Sequence, residues 1–114
     1  MSIETFFTRD ELSVQKDEIL TRLERDGFSE NVRQQIIEWR KKREEQAMAT
    51  PTADKIVRLN YEMSQIYEYA GDIEEMFNSL DDVLQNAIQE GFTDLERMIR
   101  VKIQEMDKKY PPKS

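Results

Sequence analysis

Apolar residues recur at three- and four-residue spacing along most of the chain, and the clearest run flanks the turn Ala70-Gly71-Asp72. Before it, Ile56, Leu59, Met63, Ile66, Tyr67 and Ala70 form one stripe; after it, Ile73, Met76, Phe77, Leu80, Val83, Leu84, Ala87 and Ile88 form another. This spacing predicts two amphipathic helices, and so short a break folds them back on each other as a hairpin. Val57 and Tyr61 lie outside the first stripe and offer a second side for packing.

The same period places helices around this hairpin. Thr8 with Glu11 reads as a capping box, flanked by Phe7 and Leu12 at the staple positions. Leu12, Ile19, Leu20 and Leu23 then form a face that Lys16 interrupts. Gly27 is placed to end this helix in a left-handed conformation, with Phe28 folding back on Leu23. Ser29 is an N-cap for a second helix, in which Val32, Ile36 and Trp39 share a face before charge surrounds the axis. Thr50-Pro51 marks the start of a third helix. Asp72 with Glu75, and Thr93 with Glu96, read as capping boxes for the fourth and fifth helices. The fifth carries Leu95, Met98, Ile99, Ile103 and Met106 and stops before Pro111-Pro112.

The expected fold is therefore all-α, an up-down array of about five helices near 9–26, 30–48, 51–70, 73–90 and 94–109. Helices three to five form the core, with the fourth at the centre because its connections are short on both sides. The expected organisation is one domain: an N-terminal hairpin over 1–49, a three-helix core over 50–110, and a disordered tail over 111–114. Gly27-Phe28-Ser29 and Gly91-Phe92-Thr93 repeat the same punctuation 64 residues apart, but the helices around them share little else. Similar turn chemistry explains this better than duplication does.

Residues 63–73 contain Ser64, then Tyr67, then Gly71, with Ile73 two positions on. This stretch resembles part of a tetratricopeptide unit, and the resemblance implies a helical hairpin that binds peptides or partner proteins. Met76 stands where that motif has a small residue, and no second copy follows at the period of about 34 residues. A helical hairpin with a glycine turn accounts for the same residues.

Composition narrows the chemistry. The 114 residues include neither cysteine nor histidine, which excludes disulfides, thiol catalysis, imidazole bases and Cys/His zinc sites. No glycine-rich phosphate loop or calcium-binding loop is present, and the paired acids fall on polar faces. An enzyme, a metal site and a cofactor are not expected. No apolar run approaches the ~18 residues of a membrane span, and the opening residues lack the features of a signal peptide. A cytoplasmic, soluble protein is the expectation.

Charge supplies the remaining candidates. The net charge is −7, and residues 53–92 alone carry nine acids against two bases. Glu74, Glu75, Asp81 and Asp82 make this hairpin a candidate surface for a basic partner, or simply a solvated face. Arg40, Lys41, Lys42 and Arg43 are the one basic cluster. It points four ways around a helix, and Glu38, Glu44 and Glu45 dilute it, so nucleic-acid binding is disfavoured. Glu38 and Lys42 stand at a favourable pairing distance. Ile37 and Met48, off the main face of their helix, could form a two-fold seam; Tyr61 and Tyr69 are further candidate anchors. The leading expectation is a non-catalytic protein–protein interaction module, acting on a partner or as a homodimer. The alternative is an acidic inhibitor or immunity-type protein that masks a basic site.

Overall fold

The computed structural model describes residues 3–49 and 52–111, and among these all regular secondary structure is helical. A short 3-10 turn, Ile3–Phe6, leads into α1 (Glu11–Asp26), α2 (Glu30–Ala49), α3 (Ala53–Ala70), α4 (Ile73–Glu90) and α5 (Thr93–Lys109). The expected cap and proline at Thr50-Pro51 and most of the expected tail lie outside the described residues. Helix α3 begins at Ala53, slightly later than expected, with Thr52 at its N-cap and no side-chain capping bond.

The caps show which local signals held. Asp72 accepts from the Glu75 amide at 3.3 Å and opens α4. Gly71 ends α3 at φ 86° and ψ 8°, a left-handed conformation that favours glycine. The Asp72 amide then reaches the Tyr67 carbonyl, and the Gly71 amide reaches that of Glu68. These two bonds are the Schellman pattern, and the Gly91-Phe92 amides repeat it on Ile88 and Ala87.

Two caps differ from expectation. Helix α1 is capped by Asp10, not Thr8: its carboxylate accepts from the Ser13 amide, and Ser13 completes the box in place of Glu11. Phe92, not Thr93, stands at the N-cap of α5, and the Thr93 hydroxyl turns back to the Gly91 carbonyl. At α1 the competing acceptor, Asp10, sits closer to the helix start; at α5 no side chain caps the helix.

Two apolar clusters share α3. One joins Val57 and Tyr61 of α3 to Met76, Leu80, Val83 and Ala87 of α4 and to Leu95, Ile99 and Met106 of α5. The other joins Met63 and Ile66 of α3 to Ile19 and Leu23 of α1 and to Val32 and Trp39 of α2. At 3.6 residues per turn, Val57 and Tyr61 lie across the helix from Met63 and Ile66. Helix α3 is thus packed on both sides, and it touches α1, α2 and α4. Within helices three to five α4 is central as expected, touching both α3 and α5, while over the whole array the hub is α3. Connection length identifies sequence neighbours; the number of apolar sides identifies the hub.

The N-terminal turn crosses to the far cluster. Ile3 is buried there, and the Phe6 ring centroid lies 5.5 Å from that of Phe92. At the other end, Lys109 and Tyr110 both donate to the Glu68 carboxylate, at 2.8 and 3.0 Å, fastening the end of α5 to α3. Ile56 and Ile88 were expected on core stripes but are exposed, because each stripe is broader than the neighbour that covers it. No helix among the described residues is long and apolar enough to cross a membrane.

Leu80→Ala removes a side chain that is 1% exposed and is expected to cost ~2–5 kcal/mol of stability in urea unfolding. Gly71→Ala forces an alanine to a positive φ with open space around its Cβ, so only backbone strain of ~1–2 kcal/mol is expected.

Candidate functional site

Helix α2 is divided around its axis between a buried face that carries an anchor and an exposed wall. The anchor is Arg43, 1% exposed although it was expected in a solvent-facing basic cluster. Its Nε donates to Glu62 Oε1 at 2.8 Å, and Nη1 reaches Asp10 Oδ2 at 2.7 Å and Gln46 Oε1 at 2.8 Å. Nη2 adds bonds to Asp10 and Ser13, and the guanidinium lies 5.9 Å from the Trp39 ring centroid. Arg58 joins the same group: its Nη2 donates to Ser13 Oγ at 2.7 Å and to the Thr8 carbonyl. One guanidinium therefore ties α1, α2 and α3 together.

Neighbouring polar groups are similarly occupied. Lys16, expected to interrupt the apolar face of α1, is buried and donates to Gln65 at 2.8 Å while pairing with Asp17 at 3.0 Å. Its long stem follows the apolar face and its ammonium finds polar partners, which a simple polar/apolar reading cannot anticipate. Among the described residues, no buried side-chain nitrogen or oxygen lacks a hydrogen-bond partner.

Burial raises the Asp10 carboxyl, but hydrogen bonds from Arg43 and Ser13, together with the charge of Arg43, outweigh it and hold the group well below the usual carboxylate range. Burial dominates at Glu62 and pushes its carboxyl up, against Arg43, Arg58 and Lys16. Burial and the facing Arg43 charge lower the Arg58 guanidinium.

The exposed wall begins at Phe28. Gly27 ends α1 at φ 75° and ψ −172°, a conformation essentially confined to glycine but not the left-handed one expected. The chain leaves α1 in an extended direction, so Phe28 does not fold back and is 57% exposed. Ser29 opens α2 as expected, its hydroxyl accepting from the Val32 amide at 3.4 Å. Arg33, Ile36, Ile37 and Arg40 then follow at i, i+3, i+4 and i+7, the spacing of a single helix face.

That face and Phe28 form one side of a groove of about 330 Å³. The opposite side is Met63, Ile66, Tyr67 and Ala70 of α3, with Asp72 beyond them. Met63 and Ile66 belong to the buried cluster, so the groove has an apolar floor, while Phe28 and Ile37 stand in water on its rim. Its charged residues are held by exposed partners. Arg33 lies 3.5 Å from Glu30, and Arg40 donates to Glu44 at 2.8 Å and to the Tyr67 hydroxyl at 3.3 Å. The Asp72 carboxylate is taken up by the α4 cap.

The candidates named from the sequence separate accordingly. Ile37 and Arg40 line the groove; Lys41 and Lys42 are exposed outside it. Arg43 is withdrawn into the interior. Tyr61 is withdrawn as well: it is 3% exposed and its ring stacks on Phe7 at 6.0 Å. Met48 and Tyr69 are exposed, and Met48 sits about 16 Å along the helix from Ile37, three turns on and on the same side. Glu74, Glu75, Asp81 and Asp82 are all exposed on α4, and none is ion-paired among the described residues. The pairing expected between Glu38 and Lys42 gives way to Arg40 with Glu44. Phe28 was not foreseen as a surface residue; the signal present was the Arg-Ile-Ile-Arg face beside it. Among the described residues, no group of three or more acids could hold a metal ion.

No protein-family model, curated protein or solved structure matches the chain. Of the likeness of residues 63–73 to a tetratricopeptide unit, the structure shows the glycine-turn hairpin.

Arg43→Ala leaves Glu62 buried without its main partner, and a loss of ~3–5 kcal/mol is expected in chemical denaturation. Asp10→Asn tests the linkage. A depressed carboxyl stabilises the fold above its unfolded value and loses that contribution as pH falls towards its folded value. The stability gap between the native chain and Asp10→Asn is therefore expected to be widest near neutrality and to narrow below about pH 4, followed by urea midpoints across pH.

Proposed function

We propose that the chain is a non-catalytic protein–protein interaction module, an adaptor, assembly factor or small subunit, that engages its partner through the groove between α2 and α3. The observation that carries this reading is the placement of Phe28 and Ile37, about half exposed, over a floor that is already apolar. Burying such a side chain from full exposure contributes ~1.5–3 kcal/mol, so covering the exposed half of each contributes roughly half of that, and the two together form the anchor of a small interface. The groove is held open on a rigid support, because the Arg43 junction fixes α2 to α1 and α3 below it.

The test is selection from a displayed library of helical peptides against the purified chain, followed by amide chemical-shift mapping. Enriched peptides are expected to shift groove residues and to lose at least tenfold in affinity against Ile37→Asp, a change at an exposed site that leaves the melting temperature near that of the native chain. Peptides that bind Ile37→Asp unchanged would refute the groove as the binding surface.

A second reading is favoured by Glu74, Glu75, Asp81 and Asp82 of α4, exposed and without an ion pair among the described residues: an inhibitor or immunity-type protein that masks a basic site. Masking by charge predicts binding that polyanions and salt abolish, whereas apolar anchoring predicts little change. Self-association through the groove is a special case of the first reading, and light scattering over a range of concentrations measures it directly.

A further inference from the structure

The groove carries a charge sign opposite to that of the molecule. The chain is −7 overall, yet two of the three charged residues that line the groove are arginines, and the third, Asp72, is engaged in capping. Arg33 and Arg40 are seven residues apart, about 10.5 Å along one helix face. They bracket Ile36 and Ile37 at the intervening i+3 and i+4 positions.

We propose that the groove takes an amphipathic helix from another protein that presents two acidic residues seven apart, one opposite Arg33 and one opposite Arg40, with apolar side chains between them against Ile36 and Ile37. This rests on the groove being the binding surface and adds the chemistry of its occupant. The geometry favours a helix because a helix repeats the same i, i+3/i+4, i+7 pattern with the charges reversed. The present partners of the arginines do not block exchange. Glu30 and Glu44 form exposed pairs with them, and such pairs are worth little in water. An acidic helix would replace them while covering the apolar rim, and the acidic α4 face would repel the rest of a strongly acidic partner from other sites.

The probes are three alanine-rich helical peptides of about 18 residues, identical except at two positions. Each carries leucines at i+3 and i+4; the i and i+7 positions are both Glu, both Gln or both Lys. Binding is read by amide shift mapping on the full chain and by titration at low and physiological salt. The Glu peptide is expected to shift groove amides and to bind on the order of tenfold tighter than the Gln peptide, with the Lys peptide weakest. In the doubly substituted Arg33→Glu, Arg40→Glu chain this order is expected to reverse, and a melting curve confirms that the exposed changes leave the fold intact.

Equal binding of all three peptides in the groove would overturn the acidic occupant and leave the interaction module standing. Failure of every peptide to shift groove amides, together with failure of the library selection, would overturn both. Groove amides that shift as the protein alone is concentrated would identify a second copy as the occupant, and would overturn the partner proposed here.

Discussion

The fold of the N-terminal half depends on one constraint: Arg43 is buried, and it must be surrounded by acceptors from three helices. Removing a guanidinium and two carboxylates from water costs several kcal/mol per ion, and attraction offsets that only when the geometry is good. Here the fork of donors is filled by Asp10, Glu62, Ser13 and Gln46, and the ring of Trp39 covers the guanidinium. An apolar interface could slide by a turn at modest cost. This one cannot, because a shifted register would take Arg43, the closest partner of Glu62, away from a carboxylate in the interior. Asp10 is both a cap of α1 and an acceptor for Arg43, so the start of one helix and the packing of two others are set by the same carboxylate.

That junction also explains why α2 can keep an apolar surface in water without collapsing onto α3. One face of α2 is committed to the interior by Val32, Trp39, Arg43 and Ala47. The neighbouring face presents Arg33, Ile37 and Arg40 outward. The basic cluster of the sequence is thus split by depth: Arg43 holds the scaffold, Arg40 faces the groove, and Lys41 and Lys42 face solvent. A run of like charges can contain residues with unrelated tasks, and burial decides which is which.

The parts of the fold that were legible in the sequence are those governed by local rules. The helix spans, the glycine stops at Gly71 and Gly91, and the Asp72 cap are set by residues within one turn of each other. Where a local signal had competitors the reading failed, as with Thr8 against Asp10. Lys16, Arg43 and Glu62 were opaque for another reason: periodicity scores a charged residue as outward, whereas a buried one is decided by partners tens of residues away. Gly27-Phe28 and Gly91-Phe92 make the same point with identical letters. Phe92 turns inward because Phe6 and the α5 cluster wait for it, and Phe28 stays out because no neighbour covers it. The groove was half legible: Ile37 and Arg40 were candidates, while the wall from α3 had been assigned wholly to the core.

The two-sided helix α3 sets how the chain can be dismantled. A helix bundle with a one-sided centre divides into autonomous pieces, each keeping its own lining. In this molecule any cut through the 49–53 link would strip Met63 and Ile66 of their cover on one fragment and leave the other as a bare pair of helices whose guanidinium has lost Glu62. The halves are inseparable in the way that two rooms sharing one partition are, and modular transplantation of either hairpin into a foreign protein would have to carry α3 with it.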